Sequence, residues 1–285
     1  MAGPAEFFHD MEEQGGPVNT YVGELYFSAH RGTYTSQAAI KKHNRRNELA
    51  MREEEFWSSL GLGRGLDYDL AKADALWKEL LLHQFHDILP GSSIGRVYVE
   101  ANKAHEAIYA GAQELLDQAI DALTERKEEN AVTVWNSLSF DRKALVELPE
   151  AFAAGARTLE GQEVAVQKTA EGVKAIVDIP SCGAVSLVPA EAAASGAAAV
   201  SVKEEGDGYV LENSQVRAVL NGRGEVASFV LKESGREYAA QPMNRFRLYK
   251  DVPRMFDAWD IDSNYIYQEV EAVTEVSVEK VADGL

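Results

Sequence analysis

The spacing of apolar residues changes near residue 130, and this change is what most limits the fold. Before it, apolar residues recur every three or four positions, as along the buried face of a helix. After it, short runs such as VTVW, VKAIVDI and YVLEN alternate between turn segments such as NGRGE, as in half-buried strands. We therefore expect an α+β protein in which helices are followed by an antiparallel β-sandwich.

The helical part contains three candidate helices, at about 38–61, 69–86 and 93–127. Their apolar stripes and short polar joints predict a three-helix bundle within residues 36–130. The β-sandwich is assigned to residues 131–285. Its last stretch, VEAVTEVSVEKVADGL, has no evident closing turn. We therefore expect the sheet domain to be truncated.

The charge balance limits the partners. The chain of 285 residues has 28 Lys and Arg against 46 Asp and Glu, a formal charge of −18. Such a surface repels phosphate, so nucleic acid and anionic membranes are poor candidates. A neutral or cationic ligand suits this surface better.

Cysteine usage and the N-terminus bear on location. The single cysteine, Cys182, excludes a disulfide within the chain and a zinc site built from several thiolates; we expect it to be a small buried residue. No basic-then-apolar signal opens the sequence, and no run of about 18 apolar residues occurs. The predicted location is the cytoplasm.

The segment HQFHDILPGSS is the main candidate for metal chemistry. If the second helix extends to His86, then His83 and His86 share one of its faces. The signatures HExxH and HxxEH are absent, and Glu79 does not have the ExxH spacing with His83. Spacing alone therefore favours buried or capping histidines at a helix–turn–helix corner, with Ser92 or Ser93 capping the next helix.

Two further segments contain residue types that bind sugars. HRGTYTSQ, at 30–37, combines a cation, a glycine, hydroxyls and an aromatic ring, although the start of a helix explains part of this pattern. RMFDAWDID, at 254–262, places aromatic rings among carboxylates, which a solvated sheet edge also explains. Neither motif is specific alone.

Taken together, the motifs resemble a known family. GELYFSAHRGTYTSQAAIKKHNRRNE, LLLHQFHDILPGSS, VWNSLSFDR, LENSQVRAVLNGRGEVASFVLKESGRE and FDAWDID occur in this order. They resemble the middle and early C-terminal parts of a family 38 glycoside hydrolase, a zinc-dependent retaining α-mannosidase of the bacterial or cytosolic type. This resemblance implies a preceding catalytic domain, with residues 1–35 as its tail and the loop leading into the bundle.

The resemblance also implies roles for two residues. His86 matches a zinc ligand, and Asp87 matches the carboxylate that binds hydroxyls of the mannose, whereas His83 matches no ligand. The remaining ligands, a His-x-Asp pair and an aspartate, belong to the catalytic domain, and no histidine here has Asp two residues later. The hydrolytic carboxylates belong there too. We therefore expect no catalytic residue in this chain, and neither activity nor tight zinc binding by the chain alone.

A non-catalytic helical and β module that binds carbohydrate or a partner is the alternative. The presence of an upstream His-x-Asp domain would separate the two hypotheses. The expected partners are an α-mannoside and the missing catalytic domain. A second copy of the chain becomes a partner if the bundle surface is left uncovered.

Overall fold

The helices and sheets of a computed structural model confirm the predicted α+β class. The structure describes residues 3–16, 19–23, 28–124, 130–169, 172–191, 200–270 and 276–281. Its α-helices are α1 (Pro4–Glu13), α2 (Ala38–Leu62), α3 (Leu70–His83) and α4 (Gly95–Leu123), and its 3₁₀ helices span Ser28–Tyr34, Glu150–Phe152 and Ser263–Tyr267.

Helices α2, α3 and α4 pack together as the predicted bundle. Its main core contains side chains from all three helices: Ala50, Met51, Leu80, Ile108 and Ala112. Each is at most 6% exposed. Burial of a side chain the size of Leu80 or Ile108 contributes about 1.5–3 kcal/mol, so this stripe explains why the three helices associate.

Helix α1 is an element that the sequence interpretation missed. Pro4 occupies the first turn, and the backbone N–H of Gly3 donates to Oε2 of Glu6 at 2.9 Å. Both features favour a helix start. None of its residues is buried, and Phe7 and Phe8 are more than half exposed. The helix therefore forms from local signals without a packed face among the described residues.

The β part contains fourteen strands in the residues that the structure describes. They are β1 (Val132–Asn136), β2 (Arg142–Leu148), β3 (Ala156–Thr158), β4 (Glu163–Val164), β5 (Val166–Thr169), β6 (Gly172–Ile179), β7 (Gly183–Pro189), β8 (Ser201–Glu205), β9 (Gly208–Glu212), β10 (Val216–Leu220), β11 (Val226–Leu231), β12 (Arg236–Glu237), β13 (Leu248–Tyr249) and β14 (Glu269–Val270).

Two of the sheets form a sandwich. Their strand orders are β1-β7-β3-β4 and β2-β6-β5, with antiparallel pairings. Alternate residues of β6 are buried, namely Val173, Ala175, Val177 and Ile179, as the pattern VKAIVDI predicts. They share one core with Phe152 and with Leu187 of the other sheet. A five-stranded sheet, β12-β11-β10-β9-β8, follows along the chain, and β13 pairs with β14.

The bundle and the sandwich contact each other at the end of β1. The guanidinium of Arg52 donates to the Oγ and the carbonyl oxygen of Ser137, at 2.8 and 3.0 Å. The rings of Trp57 and Trp135 meet edge to face, with centroids 5.0 Å apart. A charged hydrogen-bond donor and an aromatic pair thus join helix α2 to the first strand.

Candidate functional site

The second helix is shorter than predicted, and this changes the setting of His86. Helix α3 ends at His83, and the chain turns immediately afterwards. The side-chain amide of Gln84 donates to Oδ1 of Asn44 at 3.1 Å and to Oε1 of Glu48 at 3.0 Å. These bonds hold Gln84, the residue that follows the helix, against α2, and His86 lies in the turn beyond it rather than on the last helical turn.

The two histidines of the motif do not share a face. His83 is 8% exposed, and its Nε2 lies 3.2 Å from Oε1 of Glu79. Its ring lies 5.2 Å from the ring of the fully buried His105. The side chain of His86, by contrast, is 76% exposed. The prediction of a common helical face is therefore wrong, since only His83 belongs to the helix.

The turn is anchored by the residues that follow His86 and Asp87. Ile88 and Leu89 pack against a second core cluster formed by Ile40, Tyr98 and Ala101. Partial burial of this apolar pair fixes the turn to α2 and α4, while the two polar residues before it remain accessible to solvent.

Gly91 lets the turn approach the start of the bundle closely. It has φ of +96°, and a Cβ at this position would lie 2.6 Å from the carbonyl oxygen of Ser36. A side chain would therefore meet both backbone strain and a clash. The glycine is required for the turn to lie against residues 30–37.

His86 and Asp87 stand side by side on this turn. The Nε2 atom of His86 lies 3.3 Å from Oδ2 of Asp87, whose side chain is 40% exposed. The Phe85 ring lies against the imidazole, with centroids 4.2 Å apart. An imidazole and a carboxylate are thus presented together to solvent.

Three side chains hold Asp87 in place. The Oγ of Ser92 donates to Oδ1 of Asp87 at 2.9 Å, and the Oγ of Ser93 donates to its carbonyl oxygen at 2.8 Å. The hydroxyl of Tyr98 donates to the same carbonyl at 3.1 Å and accepts the backbone N–H of Ser93 at 2.7 Å.

The predicted capping role of the two serines is wrong. Helix α4 begins at Gly95, and its N-cap residue is Ile94, which makes no side-chain cap bond. The hydroxyls of Ser92 and Ser93 are directed to Asp87 instead. These two serines and Tyr98 are the residues of the site that the sequence interpretation missed, and their spacing from Asp87 alone does not reveal their role.

The two motifs that were too weak to interpret alone contact each other. The backbone N–H of Gly32 donates to the carbonyl of Trp259 at 2.9 Å, and Oγ of Ser36 donates to the carbonyl of Ala258 at 2.8 Å. The rings of His30 and Trp259 meet edge to face at 5.0 Å. Since Gly91 lies against Ser36, all three motifs converge at one end of the bundle.

His86 and Asp87 by themselves do not make up a metal site. Among the described residues, no group of three or more His, Cys, Asp or Glu side chains is arranged to hold a metal ion. Zinc in proteins usually takes about four ligands, of which imidazole and carboxylate are two accepted types. The exposed imidazole of His86 is thus of a type that can bind zinc, provided that further ligands come from outside the described residues.

The bundle also buries two ionisable groups away from this turn. Nδ1 of His105 lies 3.0 Å from Nδ2 of Asn47, and burial lowers the pKa of His105 to about 4, with the neighbouring His83 and His43 adding to the effect. Burial likewise raises the pKa of Glu54 to about 7, although Tyr68 donates a hydrogen bond to its carboxylate at 3.0 Å. At neutral pH, His105 is therefore uncharged and Glu54 is partly protonated.

Across the described residues, no helix is long and apolar enough to cross a membrane.

Two protein-family models match the chain. "Alpha mannosidase middle domain" matches residues 28–123, and "Glycosyl hydrolases family 38 C-terminal domain" matches residues 211–285. The first range holds the bundle and the His86–Asp87 turn, and the second holds the FDAWDID segment.

Relatives with assigned names match most of the chain. It is 35% identical over 272 residues to Alpha-mannosidase 2C1 of Mus musculus, and the alignment covers 92% of the chain and 24% of that protein. It is 27% identical over 308 residues to Alpha-mannosidase G of Dictyostelium discoideum, and this alignment covers 90% of the chain and 27% of that protein. The chain thus spans about a quarter of the length of these curated relatives.

Solved structures show the same fold. An alpha-mannosidase from Enterococcus faecalis V583 superposes with a TM-score of 0.57 at 16% identity, over 81% of this chain and 33% of that one. A glycosyl hydrolase family 38 protein from Enterococcus faecalis gives a TM-score of 0.55 at 17% identity, over 83% and 33% of the two chains.

Proposed function

Because the chain belongs to glycosyl hydrolase family 38, we propose that it forms the middle and first C-terminal parts of a zinc-dependent retaining α-mannosidase. The parent enzyme would hydrolyse terminal α-mannosyl residues of glycans or oligosaccharides. The observation that carries the proposal is the exposed turn on which His86 and Asp87 lie 3.3 Å apart. Two partly buried apolar residues and three hydroxyl groups stabilise the turn that exposes this pair.

His86 is the residue of this chain that would hold the metal. Its imidazole is 76% exposed, so a ring nitrogen can bind a metal ion held partly by another domain, without rearrangement of the core. In the parent enzyme, bound zinc would supply a positive charge that holds sugar hydroxyls and helps to distort the ring.

Asp87 is the residue of this chain that would contact the sugar. An ionised carboxylate only accepts hydrogen bonds, and sugar hydroxyls are donors. One of its oxygens accepts from Ser92, and its side chain remains 40% exposed, so acceptor capacity is left for a hydroxyl. Asp87 would therefore orient the mannose.

The hydrolytic step would be performed outside this chain. A retaining glycosidase needs a nucleophilic carboxylate and an acid/base carboxylate on either side of the glycosidic bond. We place both, together with the remaining zinc ligands, in a further domain of the parent enzyme. The chain alone would then show neither turnover nor tight zinc binding.

The surface around the turn supports a covering domain. Leu81, Leu82 and Phe85 lie beside His86 in the sequence and are each at least 50% exposed. Exposed apolar patches commonly mark interfaces. We propose that the catalytic domain covers this patch; a second copy of the chain is the alternative occupant.

The predicted cytoplasmic location stays a prediction.

The test compares the complete parent protein with this chain, using an aryl α-mannoside. We expect turnover by the parent protein and none by the chain. An inactive parent, or a chain that turns over the substrate alone, would contradict the proposal. Mannose binding by an inactive parent, unaffected by Asp87→Asn, would favour the non-catalytic binding module instead.

A further inference from the structure

We propose that Ser92 is a positioning residue, which holds the carboxylate of Asp87 in the orientation that receives a sugar hydroxyl. The inference rests on the proposed function, because it assumes that Asp87 contacts the substrate. It concerns a hydroxyl group that the sequence pattern assigns to a helix cap and that the structure directs elsewhere.

The hydroxyl of Ser92 has one hydrogen to donate and two acceptors within reach. Its Oγ lies 2.9 Å from Oδ1 of Asp87 and 3.4 Å from the carbonyl oxygen of the same residue. The shorter distance and the negative charge of the carboxylate both favour Oδ1. Ser92 therefore acts mainly on the side chain of Asp87.

The backbone of Asp87 is held by other groups. Ser93 and Tyr98 both donate to its carbonyl oxygen, at 2.8 and 3.1 Å. The ring of Tyr98 is 4% exposed and belongs to the core cluster beneath the turn. Removal of the Ser92 hydroxyl would thus leave the path of the backbone in place.

A half-exposed carboxylate needs such a restraint. Rotation about the Asp87 side chain would otherwise let both oxygens turn to solvent or to the neighbouring imidazole. The bond to Ser92 fixes Oδ1 and leaves Oδ2 at 3.3 Å from Nε2 of His86. An ordered acceptor binds a hydroxyl without a further loss of rotamer freedom, and this is the advantage that Ser92 provides.

The test uses the complete α-mannosidase and an aryl α-mannoside. For Ser92→Ala we expect kcat/KM to fall about 10-fold, the usual effect of losing a hydrogen bond to a charged group. Zinc content should remain that of the wild type. Ser92→Thr restores the hydroxyl and should return kcat/KM to within about 3-fold of the wild-type value.

Ser93→Ala is the matched control, because its hydroxyl contacts the backbone of Asp87 rather than the carboxylate. It should lower the melting temperature and reduce kcat/KM by less than Ser92→Ala does, because the carbonyl oxygen of Asp87 keeps its hydrogen bond from Tyr98. Equal losses of kcat/KM in Ser92→Ala and Ser93→Ala would show that both residues only shape the turn, and would overturn the proposal.

A second measurement separates positioning from general loss of structure. A series of deoxy-mannosides, each without one ring hydroxyl, identifies the hydroxyl whose removal abolishes the effect of Asp87→Asn. The loss of kcat/KM caused by Ser92→Ala should disappear with the same analogue. If Ser92→Ala lowers kcat/KM equally for every analogue, Ser92 does not act through Asp87.

An inactive wild-type enzyme would overturn the proposed function as well, whereas an active wild type with an unaffected Ser92→Ala variant would overturn this inference alone.

Discussion

Nε2 of His86 lies 3.3 Å from Oδ2 of Asp87 on a turn whose inner side is buried and whose outer side is open. The two polar residues are exposed because the next two, Ile88 and Leu89, are packed in the bundle. The site therefore depends on the stability of the turn, and the turn depends on Gly91.

Gly91→Ala should destabilise the protein by about 3 kcal/mol, because positive φ and a backbone clash both oppose a Cβ. The added atom would lie 2.6 Å from the carbonyl oxygen of Ser36. Urea unfolding measures the loss. Gly65→Ala is the control for strain alone: Gly65 has φ of +88°, and a Cβ added there would have no atom within 4 Å.

The control variant should lose only about 1 kcal/mol. If Gly91→Ala and Gly65→Ala are equally destabilised, the close contact between the turn and residues 30–37 is not formed in solution.

The burial of His105 predicts a loss of stability in acid. Its folded-state pKa of about 4 lies below the ordinary value of 6.5, so the unfolded chain binds a proton first as the pH falls. The contribution of His105 to the free energy of unfolding should therefore decrease by about 3 kcal/mol between pH 6.5 and about 4. His105→Asn keeps an acceptor near Asn47 but removes this titrating group, so in urea unfolding the variant should gain stability relative to the wild type as the pH falls. Parallel curves for the two proteins would rule out a neutral buried histidine.

Glu54 predicts the opposite dependence. Burial raises its folded-state pKa from 4.5 to about 7, so the folded chain keeps a proton that the unfolded chain releases. The contribution of Glu54 to the free energy of unfolding should therefore fall by about 3 kcal/mol as the pH rises from about 4.5 to 7, which opposes the contribution of His105 over nearly the same range. Glu54→Gln removes the Glu54 contribution, so the variant should gain stability relative to the wild type as the pH rises. Tyr68→Phe should shift the window to higher pH, since the Tyr68 hydrogen bond lowers the pKa of Glu54. A Glu54→Gln protein with an unchanged pH profile would contradict a buried carboxyl group.

The features that could be predicted from the sequence are those set by local periodicity. The alternation in VKAIVDI placed the buried residues of β6 correctly, and the helical stripe around Leu76 and Leu80 predicted the bundle core. Both patterns persist because burial of a continuous apolar face dominates the energy of the element.

Features set by distant contacts could not be predicted. Helix α3 ends where Gln84 meets Asn44 and Glu48, 40 and 36 residues away. The contact between Ser36 and Ala258 spans 222 residues. Cys182, expected to be buried, is exposed in a turn with φ of +47°, because the alternation of the flanking strands is interrupted there.

The metal content of the complete α-mannosidase tests the central claim most directly. His86→Ala should lose bound zinc and lower kcat/KM by on the order of 100-fold or more, because a ligand of the metal is removed. His9→Ala replaces another exposed histidine, on α1, and should keep wild-type zinc content and activity. Zinc content and turnover of His86→Ala equal to those of the wild type would contradict the assignment of His86 as a zinc ligand.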